Sequence, residues 1–200
     1  LVAGANAGSW LASKKGLKGL ITLDIGGTSA DIAIINDGKL SEVNSRNASI
    51  SGFPVQLPMI DINTIGAGGG SIARLDQGGA FRVGPQSSGA DPGPACYGRD
   101  GVQPTVTDAN LILGRLPSQK LLEGRLALET SLAEKSFANL SGRLGTSLHE
   151  TAEGSISVLN NNMANAIRSR TTQKGIDPRD FTLCAFGGAG PLHAVEVAEI

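Results

Sequence analysis

Apolar and polar positions along the chain change period from block to block. Between Leu17 and Ile35, two β-rich runs, Leu20-Ile21-Thr22-Leu23 and Ala30-Asp31-Ile32-Ala33-Ile34-Ile35, flank a turn at Asp24-Ile25-Gly26-Gly27-Thr28. Asn36-Asp37-Gly38 signals a further turn before Lys39 to Val43, so the segment predicts the start of a hairpin meander. From Asp61 to Gly101 there are eleven glycines, and the short alternating runs Ser71–Leu75 and Ala80–Val83 are joined by Gln77-Gly78-Gly79 as a hairpin. The interspersed Ile, Leu, Phe and Val argue for a structured, loop-rich region and against a linker.

After Pro104 the period becomes helical. Thr107-Asp108 is expected to cap a short helix through Leu116, with Asp108 acting as a cap and not as a catalytic acid. Leu126, Ala133, Phe137, Leu140 and Leu144 recur at spacings near three and four. A helix over about 148–174 carries Ile156, Leu159, Met163 and Ile167 on one face, closed by Gly175 and Asp177-Pro178. Phe181 to Phe186 reads as a buried strand that passes through Gly187-Gly188-Ala189-Gly190-Pro191 into a last helix. Strands, then helices, then strand-turn-helix: the class is mixed α/β.

Charge adds an exclusion. Lys and Arg number 17 against 18 Asp and Glu, which gives a net charge of −1 and argues against nucleic-acid or anionic-membrane partners. Aromatic content of 4% excludes a stacking platform, whereas 28 glycines in 200 residues, about twice the usual share, imply many specified turns. No apolar run of about 18 residues exists to span a membrane. Cys96 and Cys184 are far apart, with no scaffold of disulfides, so a reduced, cytoplasmic setting is expected. The chain opens on Leu1-Val2-Ala3-Gly4 and closes within a helical pattern, so it reads as a piece of a longer polypeptide.

Three glycine-rich motifs could carry chemistry. In Asp24-Ile25-Gly26-Gly27-Thr28-Ser29-Ala30-Asp31, two glycines after a strand let backbone amides approach an anion, Thr28 adds a hydroxyl, and Asp24 and Asp31 suit Mg²⁺. A plain hairpin turn is the alternative. Thr64-Ile65-Gly66-Ala67-Gly68-Gly69-Gly70-Ser71 is either a loop over a ligand or a tightly packed one, and the residues do not separate these. Phe186-Gly187-Gly188-Ala189-Gly190-Pro191-Leu192-His193 is a strand, turn and helix N-terminus, an anion site or simply close strand–helix packing. His193 is expected to be hydrogen-bonded or solvated, His149 to lie on the surface, and Cys96 to be neither zinc ligand nor nucleophile.

Taken together, these blocks resemble the hydantoinase A/5-oxoprolinase family, which includes acetone and acetophenone carboxylase subunits. The resemblance rests on the Asp24–Asp31, Asp61–Ala73, Gly89–Gly98, Pro104–Ala109, Asp177–Phe181 and Phe186–Ala194 blocks, and on Val83-Gly84-Pro85, in the family's order. It implies an actin-like (ribonuclease-H-like) ATPase lobe, made of a strand-turn-strand start over 1–60, an inserted Gly/Pro-rich β region over 61–105 and a helical part with the nucleotide-side turn over 106–200. It further implies half of an ATP cleft. Asp24 and Asp31 are the implied catalytic pair, Asp24 as the metal–water contact and Asp31 as a further metal partner or the carboxylate behind it. Gly26, Gly27 and Thr28 touch phosphate, Gly187, Gly188 and Gly190 touch nucleotide, and Gly68, Gly69 and Gly70 lie near the cleft.

The implied activity is ATP- and Mg²⁺-dependent hydrolysis of a five-membered cyclic amide (a hydantoin or 5-oxoproline), with a hydantoinase B-type second subunit or fused half and a possible homo-oligomer. The fragment alone is expected to be inactive. An ATP-dependent ketone carboxylase subunit and a non-catalytic actin-fold binding module are the alternatives. The sequence departs from the family pattern at Ala3–Gly8, at Asn63 where His is common, and at Arg170 and Thr172, where apolar residues are usual.

Overall fold

The alternating apolar run at 19–36 builds two seven-residue strands, β1 (Gly19–Ile25) and β2 (Ala30–Asn36), paired antiparallel with Asp24 opposite Asp31. The structure, a computed structural model, describes residues 1–43, 49–50, 53–54, 59–118 and 127–200. Nearly every residue of β1 and β2 is buried, which requires cover on both faces of the sheet. Side chains alternate across a strand. Leu20 and Ile35 therefore meet a helix on one side, and Ile21, Leu23, Ile25, Ile32 and Ile34 join the main core on the other.

The helix on the first side, α1 (Val2–Lys15), has no counterpart in the apolar pattern. Its buried residues are Ala5, Gly8 and Ala12, and a methyl group on Gly8 would lie 2.6 Å from Thr22 Cγ2. The helix contributes a flat face of small residues and almost no apolar bulk, so period analysis misses it.

Strands β3 (Lys39–Leu40) and β4 (Glu42–Val43) continue the meander, and β5 (Ser49–Ile50) pairs with β6 (Phe53–Pro54). β7 (Met59–Ile60) pairs with β4, and β8 (Ile62–Ile65) returns to pair antiparallel with β2. β9 (Ser71–Leu75) and β10 (Phe81–Ser87) form the expected hairpin, with a register shift between Val83 and Ser87.

Helices α2 (Val106–Ile112), α3 (Thr130–Leu144) and α4 (Leu148–Thr172) follow, then β11 (Thr182–Phe186) and α5 (Gly190–Glu199). The main sheet runs β11-β1-β2-β3 with β8 also on β2, and β11 is parallel to β1. The sheet is therefore mixed.

Ile156, Leu159, Met163 and Ile167 of α4 are all buried against the sheet, as their spacing predicts. Each such side chain removes enough apolar area from water to stabilise the fold by about 1.5–3 kcal/mol. Ala133, Phe137 and Leu140 are buried as well, whereas Leu126 lies outside the described residues. One cluster of buried apolar residues takes members from β1, β2, the 61–105 segment and all of α2–α5.

Two expectations need correction. The cap of α2 is Thr105, not Thr107-Asp108, and the helix ends at Ile112; Asp108 is its third residue, bonding back to Thr105 in a reciprocal capping box. β11 is only half-buried, because it pairs with β1 on one side and is the edge of the sheet among the described strands.

Candidate functional site at the glycine turns

Parallel β1 and β11 end side by side, and the chain leaves each through a glycine turn. Asp24 on β1 is the register partner of both Asp31 and Phe186, so its half-exposed carboxylate stands between the two turns. Gly26, Gly27 and Thr28 are exposed on one side, and Gly187 and Gly188 on the other. A crevice outside the carboxyl ends of parallel strands, next to a helix N-terminus, is where α/β sheets take anionic ligands. Ala189 N–H donates to Ile25 O at 2.9 Å, which ties the start of α5 to the end of β1. The amides of Gly27, Thr28 and Gly188 have no acceptor among the described residues.

Glycine is needed at 187 for the protein's own geometry. Its φ is +87°, and a methyl group there would lie 2.4 Å from Asp24 Oδ1 and 2.5 Å from Ile25 O. Gly190 is buried in the first turn of α5, close to Leu23 O. Nothing meets a methyl group at Gly27 or Gly188 within 4 Å.

Asp31 is buried, and Thr64 Oγ1 on β8 donates to its Oδ1. Among the described residues, no group of three or more His, Cys, Asp or Glu side chains could hold a metal. The described residues thus form no closed protein cage. Mg²⁺, however, commonly keeps most of its waters and takes one or two carboxylates together with phosphate oxygens. The Asp24–Asp31 pair suits that mode.

The Gly68-Gly69-Gly70 loop of the second motif packs onto the first. Gly69 N–H donates to Gly26 O at 3.0 Å and Gly70 N–H to Gly27 O at 2.6 Å, while Gly68 N–H donates to Ser71 Oγ at 2.9 Å. All three glycines are buried, and their amides are occupied by the protein. A methyl group on Gly68 would sit 2.7 Å from Thr28 N; one on Gly70 would sit 2.9 Å from Gly27 O. Behind this loop, Thr107 donates to Gly69 O through both its amide and its hydroxyl.

The remaining candidates separate clearly. Asp108, fully buried, accepts from the amides of Ala95, Cys96 and Thr105 and from the Thr105 hydroxyl. It anchors the turn before α2. Burial, with the Asp108 charge adding to it, pushes the Cys96 thiol far up, which removes it as a nucleophile. His149 is on the surface beside Glu153.

His193 is fully buried between helices: Nδ1 donates to Asn160 Oδ1 at 2.8 Å, and Nε2 faces Asn110 Nδ2 at 3.5 Å. Burial, reinforced by the nearby Arg115 charge, lowers it to about 4, so it is neutral at pH 7. Asn160 in turn donates to Glu196, which pairs with Arg115. No sequence signal joined Asn110, Asn160 and His193, which come from three different helices.

Arg170, a departure from the family pattern, pairs with buried Asp61, as does Lys174 at 2.8 Å. Burial raises the Asp61 carboxyl, but the hydrogen bonds from Lys174 and Arg170 outweigh it and hold the group below its usual range. Asn63 sits on β8 opposite Ile32, and Thr172 is an exposed residue at the end of α4.

A cavity of about 470 Å³ lies elsewhere, lined by Ile21, Ile167, Phe181, Leu183, Val197 and their neighbours. It is mainly apolar and shares no residue with the glycine turns. Converging amides and carboxylates, not cavity size, mark the turns as the candidate site.

Among proteins similar to this chain, an uncharacterised protein of Methanocaldococcus jannaschii is 50% identical over 90% of the chain and 28% of its own length. Caprolactamase subunit alpha of Pseudomonas jessenii is 43% identical over 96% of the chain and 28% of its own length. 5-Oxoprolinase 1 of Arabidopsis thaliana is 40% identical over 90% of the chain and 15% of its own length. The chain thus spans about a quarter or less of these relatives. Two solved structures share the fold. Nucleotide-free acetone carboxylase, from a study of ATP-dependent acetone carboxylation, superposes with a TM-score of 0.88 at 30% identity, covering 98% of this chain and 28% of that one. The ATP-dependent caprolactamase of P. jessenii gives 0.83 at 42%, covering 97% and 28%. The hydantoinase/oxoprolinase family profile matches residues 1–200, and the chain belongs to that family.

Proposed function

We propose that this chain supplies one side of an ATP site in a protein that opens a cyclic amide by phosphoryl activation. The observation that carries the reading is the convergence of exposed Gly26–Thr28, exposed Gly187–Gly188 and Asp24 at the ends of parallel β1 and β11. In this reading Gly27 and Thr28 donate to phosphate, and Gly187, Gly188 and Gly190 border the nucleotide. Gly26 shapes the turn, and Gly68, Gly69 and Gly70 hold it from behind. Asp24, with Asp31 beside it, faces a Mg²⁺ through water.

When bound, ATP and Mg²⁺ supply a phosphoryl group for the amide oxygen and neutralise its charge, which makes the ring carbon open to water. The chain's own residues bind and orient: amides and hydroxyl donors are fixed before the ligand arrives, so little reorganisation is needed at the moment of reaction.

The sheet order, with antiparallel β1–β2, β8 beside β2 and parallel β11 beside β1, supports an actin-like (ribonuclease-H-like) lobe. The segments 1–60, 61–105 and 106–200 are then parts of that single lobe. The rest of the cleft comes from the other lobe of the full-length protein, which works with a B-type second subunit or fused half, and the setting is cytoplasmic. Support for a partner comes from relatives that carry subunit names. The ketone carboxylase reading draws on the acetone carboxylase superposition, whereas the higher identity to caprolactamase favours the amidase.

The test follows ATP by phosphorus NMR with the full-length protein and its second subunit, offered 5-oxoproline, hydantoins, a lactam, and ketone plus bicarbonate in turn. ADP formed only with a cyclic amide is expected, and Asp24→Asn should abolish it. Turnover only with ketone and bicarbonate moves the assignment to the carboxylase. Unchanged activity in Asp24→Ala moves it to a binding module.

A further inference from the structure

Thr28 does not stand alone at its turn. Its Oγ1 lies 3.2 Å from Ser87 Oγ, a residue 59 positions away at the end of β10. Two local features bring them together. The register shift between Val83 and Ser87 sets Ser87 opposite Ser71, beside the glycine loop. Gly70 leaves the space: a methyl group there would lie 2.8 Å from Ser87 Oγ. Ser87 Oγ also accepts from Gly89 N–H at 3.1 Å.

A hydroxyl has one hydrogen to donate and two lone pairs. The Thr28–Ser87 contact uses one hydrogen of the two available, so one is left to point outward. Gly89 N–H donates into Ser87 Oγ, and where Ser87 O–H in turn donates to Thr28 Oγ1 the sequence Gly89 N–H to Ser87 O–H to Thr28 O–H runs head to tail. Each bond in such a chain polarises the next. In that direction its free end is the Thr28 hydrogen, on the exposed turn that also carries the Gly27 and Thr28 amides. A phosphate oxygen, an acceptor only, is the ligand class that such an end selects. Were the chain reversed, Thr28 would present only lone pairs to that anion.

We propose that Ser87 is a positioning residue of the phosphate site, which holds the Thr28 hydroxyl as a donor. The inference rests on the nucleotide reading above and extends it to a residue in the 61–105 segment. Ser87 acts through Thr28, not on the ligand itself.

The test is a double-mutant cycle in the full-length protein with its second subunit, read as ATP affinity by calorimetry, with thermal stability followed in parallel. Thr28→Val is expected to weaken ATP about tenfold or more, as for loss of a hydrogen bond to a charged group. Ser87→Ala should weaken it several-fold, and the double variant should match Thr28→Val alone, since coupled residues are not additive. Ser87→Cys keeps one heavy atom beyond Cβ, somewhat larger, with a weak donor and should fall between Ser87→Ala and wild type; it carries the test if Ser87→Ala fails to fold. Additive losses, a silent Ser87→Ala, or wild-type affinity in Ser87→Cys would each overturn the relay. Wild-type protein that binds no ATP overturns the nucleotide reading and the relay with it, whereas firm wild-type binding with a silent Ser87→Ala overturns the relay alone.

Discussion

The Gly26-Gly27 turn and the Gly68-Gly69-Gly70 loop look alike as sequence and differ in what makes them glycine. At Gly68 and Gly70 a side chain would run into backbone atoms of the neighbouring turn, so the protein itself forbids it. At Gly27 a methyl group meets nothing, and the residue is exposed. The Gly68–Gly70 loop is small because it is packed. The Gly26-Gly27 turn is open on a side where, in our reading, a phosphate arrives. Glycine in a motif is therefore informative only when its empty side is known.

The largest effect should come from filling the packed loop. Gly70→Ala or Gly68→Ala is expected to destabilise the intact protein by about 2–4 kcal/mol, within the range for overpacking against backbone that must shift. Thermal or chemical denaturation checks this, and near-wild-type stability would break the contrast. Gly187→Ala combines a left-handed backbone with contact on the Asp24 carboxylate, and should cost about 2–3 kcal/mol together with activity.

Acid should act next. His193 is held at about 4, below its unfolded value near 6.5, so the unfolded chain binds the extra proton in between. Stability therefore falls as pH drops from about 6.5 to about 4, by at most about 1.4 kcal/mol per pH unit. Asp61, lowered by its partners, adds a loss as pH falls below about 4. His193→Gln should flatten the upper window in a stability-against-pH series. The smallest change in stability is expected for Gly27→Ala and Gly188→Ala, within about 1 kcal/mol. Their ATP affinity should nevertheless drop several-fold by titration, and a loss of stability equal to that of Gly70→Ala would erase the distinction between the two motifs.

Elements that repeat a period were legible in the residues. β1, β2, the β9–β10 hairpin and α4 form where alternation or a three-and-four spacing predicts them, because local burial alone decides their pattern. α1 escaped because Ala5, Gly8 and Ala12 succeed by being small, and smallness has no hydropathic period. The outward turn at Asp24–Thr28 was visible as a motif. That Thr28 meets Ser87, that His193 is enclosed by Asn110 and Asn160, and that Arg170 answers Asp61 are pairings across tens of residues. Such contacts are set by how strands and helices stack, which no single stretch of sequence records.

The pairing of β1 with β11 brings Leu20 against Thr182. At ribosomal speeds of about 5–20 residues per second, β1 and β2 leave the ribosome roughly seven to thirty seconds before β11, which pairs with β1. During that interval the outer edge of β1, a row of free amides and carbonyls on an apolar strand, is a template for the wrong neighbour. Asp24 and its turn can be fully formed as a hairpin early, but the crevice exists only once β11 has been made and paired. A nascent chain halted before residue 182 therefore presents the edge without the pocket.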